Sequence, residues 1–305
     1  VDHALTSVSA RLFTGSFESA IYLLSSICSV PSHTSVVPAI NTNFTHHISA
    51  GLANHTIITG QNSISHPSKT TALEPVPSAH EETEYHDTIE DANLPGSLPT
   101  LRKQYITFSK ADDDELPARI ERIWYINPFG QEIRLQANPR VLSALSEAQA
   151  IIYSIGSLYT SLVPSLILKG VGEAIANPSI RYKILILNST NDRETGPSCA
   201  PFSAMDFVAA VVKAGADSRG YTGEIGKMEY KSYVTHVIHL QGPGTPRVDK
   251  EEMNQLGIET IRVYGRRMEE GWLAYDEKAL IQALEVTMGR REKLGPMSRR
   301  NTLEN

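Results

Sequence analysis

Between Ile120 and Met288 short apolar runs alternate with stretches whose apolar residues recur at helical spacing. Ile120, Ile123, Trp124 and Ile126 mark a strand, and Asn138 followed by Pro139 marks a helix start, a capping residue ahead of proline at the first helical position. The run from Gln149 to Ser154 is a continuous apolar strand leading into Gly156. Further strands are predicted over Lys183–Leu187, Val234–Leu240 and Ile258–Val263, with helices over Ser203–Ala214, Asp249–Leu256 and Asp276–Met288. Strands separated by helices pair in parallel through right-handed crossovers. The pattern therefore predicts an α/β fold, a single domain built on a Rossmann-like, doubly wound, mostly parallel sheet.

The amino-terminal part reads differently. A helix capped by Ser16 runs through Ala20, Ile21, Leu23, Leu24 and Ile27 and stops before Pro31. A strand follows over Ser35–Ala39, then a hairpin of Phe44–Ser49 and Thr56–Thr59 turned by Gly51 and Asn54. Asp2, Arg11 and Glu18 are the only Asp, Glu, Lys or Arg residues among the first sixty, so this segment, Cys28 included, is expected to be largely buried. From Asn62 to Pro117 the chain turns to Pro, Ser, Thr and acids such as Glu81, Glu82, Glu84, Asp112, Asp113 and Asp114. Such composition cannot bury enough apolar surface to offset its ordering entropy. Residues 62–117 are therefore expected to be a disordered acidic insertion, with one strand over Leu101–Phe108. The insertion divides the domain into parts at 1–61 and 118–289, followed by a basic tail at 290–305.

Composition narrows the function classes. With 305 residues, 28 Lys and Arg against 34 Asp and Glu give a formal charge of −6, and 41% of residues are hydrophobic, enough for a sizeable core. A thin, even spread of basic residues argues against a nucleic-acid partner. The tail residues Arg290, Arg291, Lys293, Arg299 and Arg300 form the one dense basic run, read as a solvated terminus. No apolar run approaches the roughly 20 residues of a membrane span, and no basic-then-apolar leader opens the chain, which starts at Val1. Two cysteines, Cys28 and Cys199, are no disulfide framework and point to a reducing, cytoplasmic setting. The sequons at Asn43, Asn54 and Asn188 are short patterns that recur by chance.

Ligands of an open α/β sheet bind beyond the carboxyl ends of its strands. The loop Gly156-Ser157-Leu158-Tyr159-Thr160-Ser161 follows such a strand and opens a helix containing Pro164. Glycine admits close approach, the hydroxyls donate hydrogen bonds, and free amides at a helix start favour an anion, so a phosphate site fits. A tight turn at Gly156, capping by Ser157 or Thr160 and packing of Tyr159 fit equally. Asn41 and Asn43 after the first strand, and Asn188 to Thr195 after the strand Lys183–Leu187, are polar loops expected at the same edge, where turn-making is the plainer reading. Other signatures fail. Gly223-Glu-Ile-Gly226-Lys227-Met228 has the wrong glycine spacing and Met228 in place of Ser or Thr for a P-loop, and Gly242-Pro-Gly244 lacks the third glycine of a dinucleotide fingerprint, Arg247 standing there. His236 and His239, three apart on a strand, face opposite sides and cannot chelate one ion, and His46 and His47 fail likewise. No metal site and no nucleophile–base pair is predicted from the sequence.

The stretch from Ile151 to Pro164, continuing through Gly170, Glu173, Ala174 and Ile175, resembles the 2-phospho-L-lactate transferase (CofD) superfamily, most closely the branch of the bacterial gluconeogenesis factors (YvcK). Thr14 to Ile21, Pro38 to Asn41, Thr56 to Gln61, Asn188 with Glu194 and Thr195, and Ser203 to Val208 carry further matches. The resemblance implies a Rossmann-like fold that binds a nucleotide or nucleotide-sugar ligand. In the transferase branch it implies transfer of a phospholactyl or phosphoenolpyruvyl group from a guanosine diphosphate-linked donor to a deazaflavin alcohol, with magnesium and release of guanosine monophosphate. In the other branch it implies nucleotide-sugar binding and regulation without established catalysis, and in either a homo-oligomer would be compatible. Members open with a strand and a Gly-Gly-x-Gly phosphate loop that does not occur before Arg11, so the amino-terminal part of the family fold is expected to be missing. Relatives carry acids where this chain has Thr42 and Asn43, a change that weakens magnesium binding and any general base. Low turnover is the expectation.

Overall fold

Two sheets share one apolar core. The computed structural model describes residues 17–42, 46–65, 98, 115–269 and 271–289. The first helix is α1 (Phe17–Ile27). An antiparallel sheet then forms from β1 (His47–Leu52) and β2 (Ile57–Thr59), joined after helix α2 (Gln61–Ser65) by β3 (Ile120–Ile126) and β4 (Glu132–Ile133), in the order β2-β1-β3-β4. Helix α3 (Pro139–Glu147) begins as expected, with Asn138 Oδ1 accepting from the Arg140 amide at 3.0 Å.

The parallel sheet follows. Its strands β5 (Ala150–Tyr153), β6 (Tyr182–Ile186), β7 (His236–His239) and β8 (Glu259–Arg262) lie side by side in sequence order. Between β5 and β6 come a π-helical turn (Leu158–Leu162), helix α4 (Val163–Leu166) and helix α5 (Val171–Ala176). Helices α6 (Ala204–Ser218) and α7 (Lys227–Tyr233) connect β6 to β7, and α8 (Lys250–Gln255) connects β7 to β8. The chain then makes a hairpin of β9 (Gly265–Arg267) and β10 (Leu273–Tyr275) and helix α9 (Glu277–Thr287).

Alternation along the strands decides which helix covers which face. Tyr153, Leu185 and Val237 point into the main core with Phe207, Val208 and Val211 of α6, the β1 and β3 residues Ile48, Ala50 and Ile123 closing its far side. Ile184, Ile186 and Ile238 point the other way, onto Leu280, Ala283 and Leu284 of α9. Helices on both faces of a four-stranded parallel sheet make this an α/β domain of the class predicted from the apolar pattern.

Several elements differ from expectation. Ile120–Ile126 joins the hairpin, antiparallel to β1, instead of the parallel sheet. Gly51 lies inside β1, beside a register shift, where the Trp124 ring would meet a Cβ at 3.1 Å; the turn itself is at Ala53–His55. Ser35–Ala39 pairs with no strand among the described residues and is held by α3, the Asn138 amide donating to Ala39 O at 2.8 Å and Asn138 Nδ2 to Pro38 O at 3.0 Å. Cys28 is exposed, and Tyr22 and Ile27 are 77% and 65% exposed, so the low charge of the first sixty residues does not report burial here. Ile64 and Leu116, at the two ends of the stretch read as an insertion, are core residues. The expected cap Ser16, the strand Leu101–Phe108 and the basic tail lie outside the described residues.

Among the described glycines the tightest approach to backbone is between α5 and α6. A Cβ on Gly172 would stand 2.0 Å from Gly215 O, and one on Gly215 would stand 2.2 Å from the Tyr233 ring. Gly172→Ala therefore forces the helices apart at a cost of about 3 kcal/mol, and a thermal melt should show Tm falling by roughly 10 °C. An unchanged Tm would contradict the packing.

Candidate functional site

The carboxyl edge of the parallel sheet carries four loops in contact with one another. After β5 the chain reaches Gly156, whose amide donates to Asn188 Oδ1 at 3.3 Å while Asn188 Nδ2 donates to Gly156 O at 2.9 Å. Asn188 stands just beyond β6, so a reciprocal amide clasp joins the first two loops. A Cβ on Gly244, in the loop after β7, would stand 3.9 Å from Thr190. Arg262, at the end of β8, donates from Nη1 to Gln241 Oε1 at 2.8 Å. Gly156, Asn188, Gln241 and Arg262 thus line one ledge spanning three strand spacings, about 14 Å.

The turn that opens at Leu158 is fixed by Glu194. This residue is 1% exposed and sits in a 3-10 turn (Arg193–Thr195) after β6. Its Oε2 accepts from the Tyr159 and Thr160 amides at 2.7 and 3.0 Å, and its Oε1 accepts from Thr160 Oγ1. Asp192 builds the turn in its place, Oδ1 accepting from the Glu194 and Thr195 amides at 3.0 and 3.1 Å. Burial pushes the Glu194 carboxyl above its ordinary pKa, the nearby Asp192 charge pushes the same way, and the three donors pull against them.

This geometry sorts the predicted residues. Leu158, Tyr159 and Thr160 face inward. Tyr159 donates its hydroxyl to Ile120 O at 3.0 Å and meets Phe202 edge to face, so it packs the core. Gly156 and Ser161 are exposed and Ser157 is half-buried. The expectation of free amides fails at Tyr159 and Thr160, which Glu194 occupies. Among the described residues, no acceptor meets the Ser157 or Leu158 amide. Asn188 joins Gly156, whereas Asn41 follows an unpaired segment and makes no described hydrogen bond to the Gly156 loop. Asn43 lies outside the described residues.

The remaining candidates resolve simply. Lys227 follows α6 through a loop rather than a strand, which removes the P-loop context. His236 points toward Glu259 and Tyr182 on the α9 face, and His239 lies on the opposite face. Of the acids at the ledge, Glu194 has both oxygens and Asp192 its Oδ1 taken by protein donors. No group of three His, Cys, Asp or Glu side chains converges among the described residues. No described helix is long and apolar enough to cross a membrane. Glu194 is the residue whose weight the sequence understated, and its signal was the acid following a polar strand-end loop, Asn188 to Thr195.

Fold and ledge together define an α/β protein whose parallel sheet carries, at its carboxyl edge, the Gly-Ser-Leu-Tyr-Thr-Ser turn clasped by an asparagine from the neighbouring strand. The family model described as 2-phospho-L-lactate transferase CofD matches residues 4–264, and the chain belongs to that family. It is 37% identical over 256 residues to "Uncharacterized protein YNL011C" of Saccharomyces cerevisiae, covering 76% of this chain and 57% of the yeast protein. It is 26% identical over 177 residues to the "Putative gluconeogenesis factor" of Clostridium acetobutylicum, covering 55% of this chain and 37% of that one. The chain therefore spans about half the length or less of these relatives. Two crystal structures of protein BH3568 from Bacillus halodurans, a member of the UPF0052 family, share the fold with TM-scores of 0.57 and 0.54 at 19% and 20% identity. They cover 92% and 95% of this chain, and 70% of the other chain in both cases.

Glu194→Ala leaves two buried amides and a hydroxyl without an acceptor and should cost about 2–5 kcal/mol. Glu194→Gln keeps an acceptor and tests the charge. Because the folded-state pKa is raised, the stability this carboxyl contributes is full below its ordinary pKa and is lost as pH rises through the folded value. Melts of the wild type should therefore gain on those of Glu194→Gln as pH falls from neutrality toward the ordinary carboxylate range. Parallel pH profiles would show that Glu194 is not so perturbed.

Proposed function

We propose that this chain binds a nucleoside diphosphate-linked ligand along the ledge, with the diphosphate at Gly156, Ser157 and Leu158, and acts as a CofD-like transferase of a phosphate-linked group. The observation that carries the reading is the Gly156 turn itself. Asn188 and Glu194 hold it from two sides, and two amides, with the Ser157 and Ser161 hydroxyls beside them, are left for an anion. Donors fixed before the ligand arrives need no reorganisation when charge develops on a departing phosphate, which is how such a turn assists group transfer. Ser157 and Ser161 would hold phosphate oxygens, and Asn188 would keep the turn in register. The Glu194 carboxyl is spent on the turn, which leaves it no oxygen to act as a general base.

That engagement of the acids favours a second reading, a nucleotide-sugar-binding regulator of the gluconeogenesis-factor kind, acting by binding without turnover. The two unpaired thiols, Cys28 and Cys199, agree with a reducing, cytoplasmic setting for either.

Incubation with a guanosine diphosphate-linked phospholactate donor and a deazaflavin alcohol decides between them. Release of guanosine monophosphate, reduced at least about ten-fold in Ser157→Ala or Asn188→Ala, is the transferase result. Thermal stabilisation by uridine diphosphate sugars with no monophosphate released is the regulator result. Ligand affinity untouched by either substitution would overturn the site.

A further inference from the structure

The far end of the ledge holds a group that the phosphate reading does not use. Arg262 ends β8, and Tyr264 lies two residues on, in the connection Val263–Tyr264 before β9. Alternation puts Arg262 on the face opposite Ile261, the face that Leu158, Tyr159 and α6 cover, and Tyr264 meets its guanidinium there. The Arg262 guanidinium lies 5.3 Å from the Tyr264 ring centroid, with Nη2 3.4 Å from the hydroxyl and Nη1 held by Gln241. The ring is 74% exposed.

An exposed aromatic is ordinary on a surface, but this one stands on a rigid mount. Val263, which precedes it, is 5% exposed and its amide donates to His239 O at 2.9 Å. Gly265, which follows it, packs so closely that a Cβ would stand 2.8 Å from Ala274 O and 2.9 Å from Leu240. Tyr275, paired with Gly265, donates its hydroxyl to Leu187 O at 2.7 Å and so ties the hairpin to the end of β6. Tyr264 is thus fixed on both sides at the carboxyl edge of the sheet. Beneath, His239 is 4% exposed, with Nδ1 3.0 Å from Leu240 O and Nε2 buried and unpartnered.

We propose that Tyr264 and Arg262 form the platform on which the base of the bound nucleotide stacks, while its phosphates lie at the Gly156 turn. This rests on the nucleotide reading above and adds to it the residues that take the base. The separation suits it: phosphate turn and ring stand at opposite ends of a ledge three strands wide, the span that an extended nucleoside diphosphate has to cover. Stacking accepts any base through its π face, and the guanidinium over the ring adds a cation to the stack. The platform therefore sets affinity for nucleotide over bare phosphate and leaves selection among bases to other contacts.

Binding of guanosine diphosphate and of inorganic pyrophosphate to the wild type, Tyr264→Ala and Tyr264→Phe, followed by calorimetry, tests it. Tyr264→Ala should weaken guanosine diphosphate about ten-fold and leave pyrophosphate unchanged, and Tyr264→Phe, which keeps the ring, should bind both as the wild type does. Equal affinity of wild type and Tyr264→Ala for guanosine diphosphate overturns the platform alone. A wild type that binds neither compound overturns the nucleotide reading and the platform with it.

Discussion

A buried carboxylate organises the carboxyl edge of the parallel sheet in this protein. Glu194 takes two amides and a hydroxyl from the turn that follows β5, and in doing so ties the β5 and β6 loops into one unit. Burying a charge without partners is costly, and three donors are what the fold supplies against that cost. The same three bonds decide what the turn offers a ligand. The Tyr159 and Thr160 amides are spent, those of Ser157 and Leu158 are not, and Asn188 closes the unit by exchanging both of its amide bonds with Gly156. The neighbouring loops depend on this frame, because Thr190 rests beside Gly244 and the β7 loop in turn holds Arg262.

Much of the fold was legible because apolar spacing is set by the core. The parallel strands and helices α3, α6, α8 and α9 all appear within a few residues of where periodicity and capping residues such as Asn138, Asp249 and Asp276 put them. The amino-terminal part was harder for a physical reason. Its apolar residues lack the regular partner pattern that distinguishes a buried helix from an exposed one, so Ile27 and Cys28 looked like core. Ser35–Ala39 has strand composition but is held by Asn138 hydrogen bonds that arrive from a hundred residues away, which local pattern does not encode.

The site was legible in part for the same reason. The Gly156 loop stood out by its residue types, and family resemblance pointed to the same stretch. Which of its amides are free depended on a side chain 34 residues further on, and Thr160 looked like a ligand donor until Glu194 was seen to hold it. Asn188 was singled out as a polar loop residue, while its pairing with Gly156 follows from the parallel register of β5 and β6. Arg262 and Tyr264 carry no motif and become visible only when the strand ends are lined up.

Amide resonances of the folded chain, titrated with pyrophosphate, separate the amides that Glu194 holds from those left to an anion. The Ser157 and Leu158 amides are expected to shift on binding while those of Tyr159 and Thr160, already bonded to Glu194, hold nearly still. Large shifts at Tyr159 and Thr160 with none at Ser157 and Leu158 would contradict it, because the ligand would then displace Glu194 rather than bind beside it.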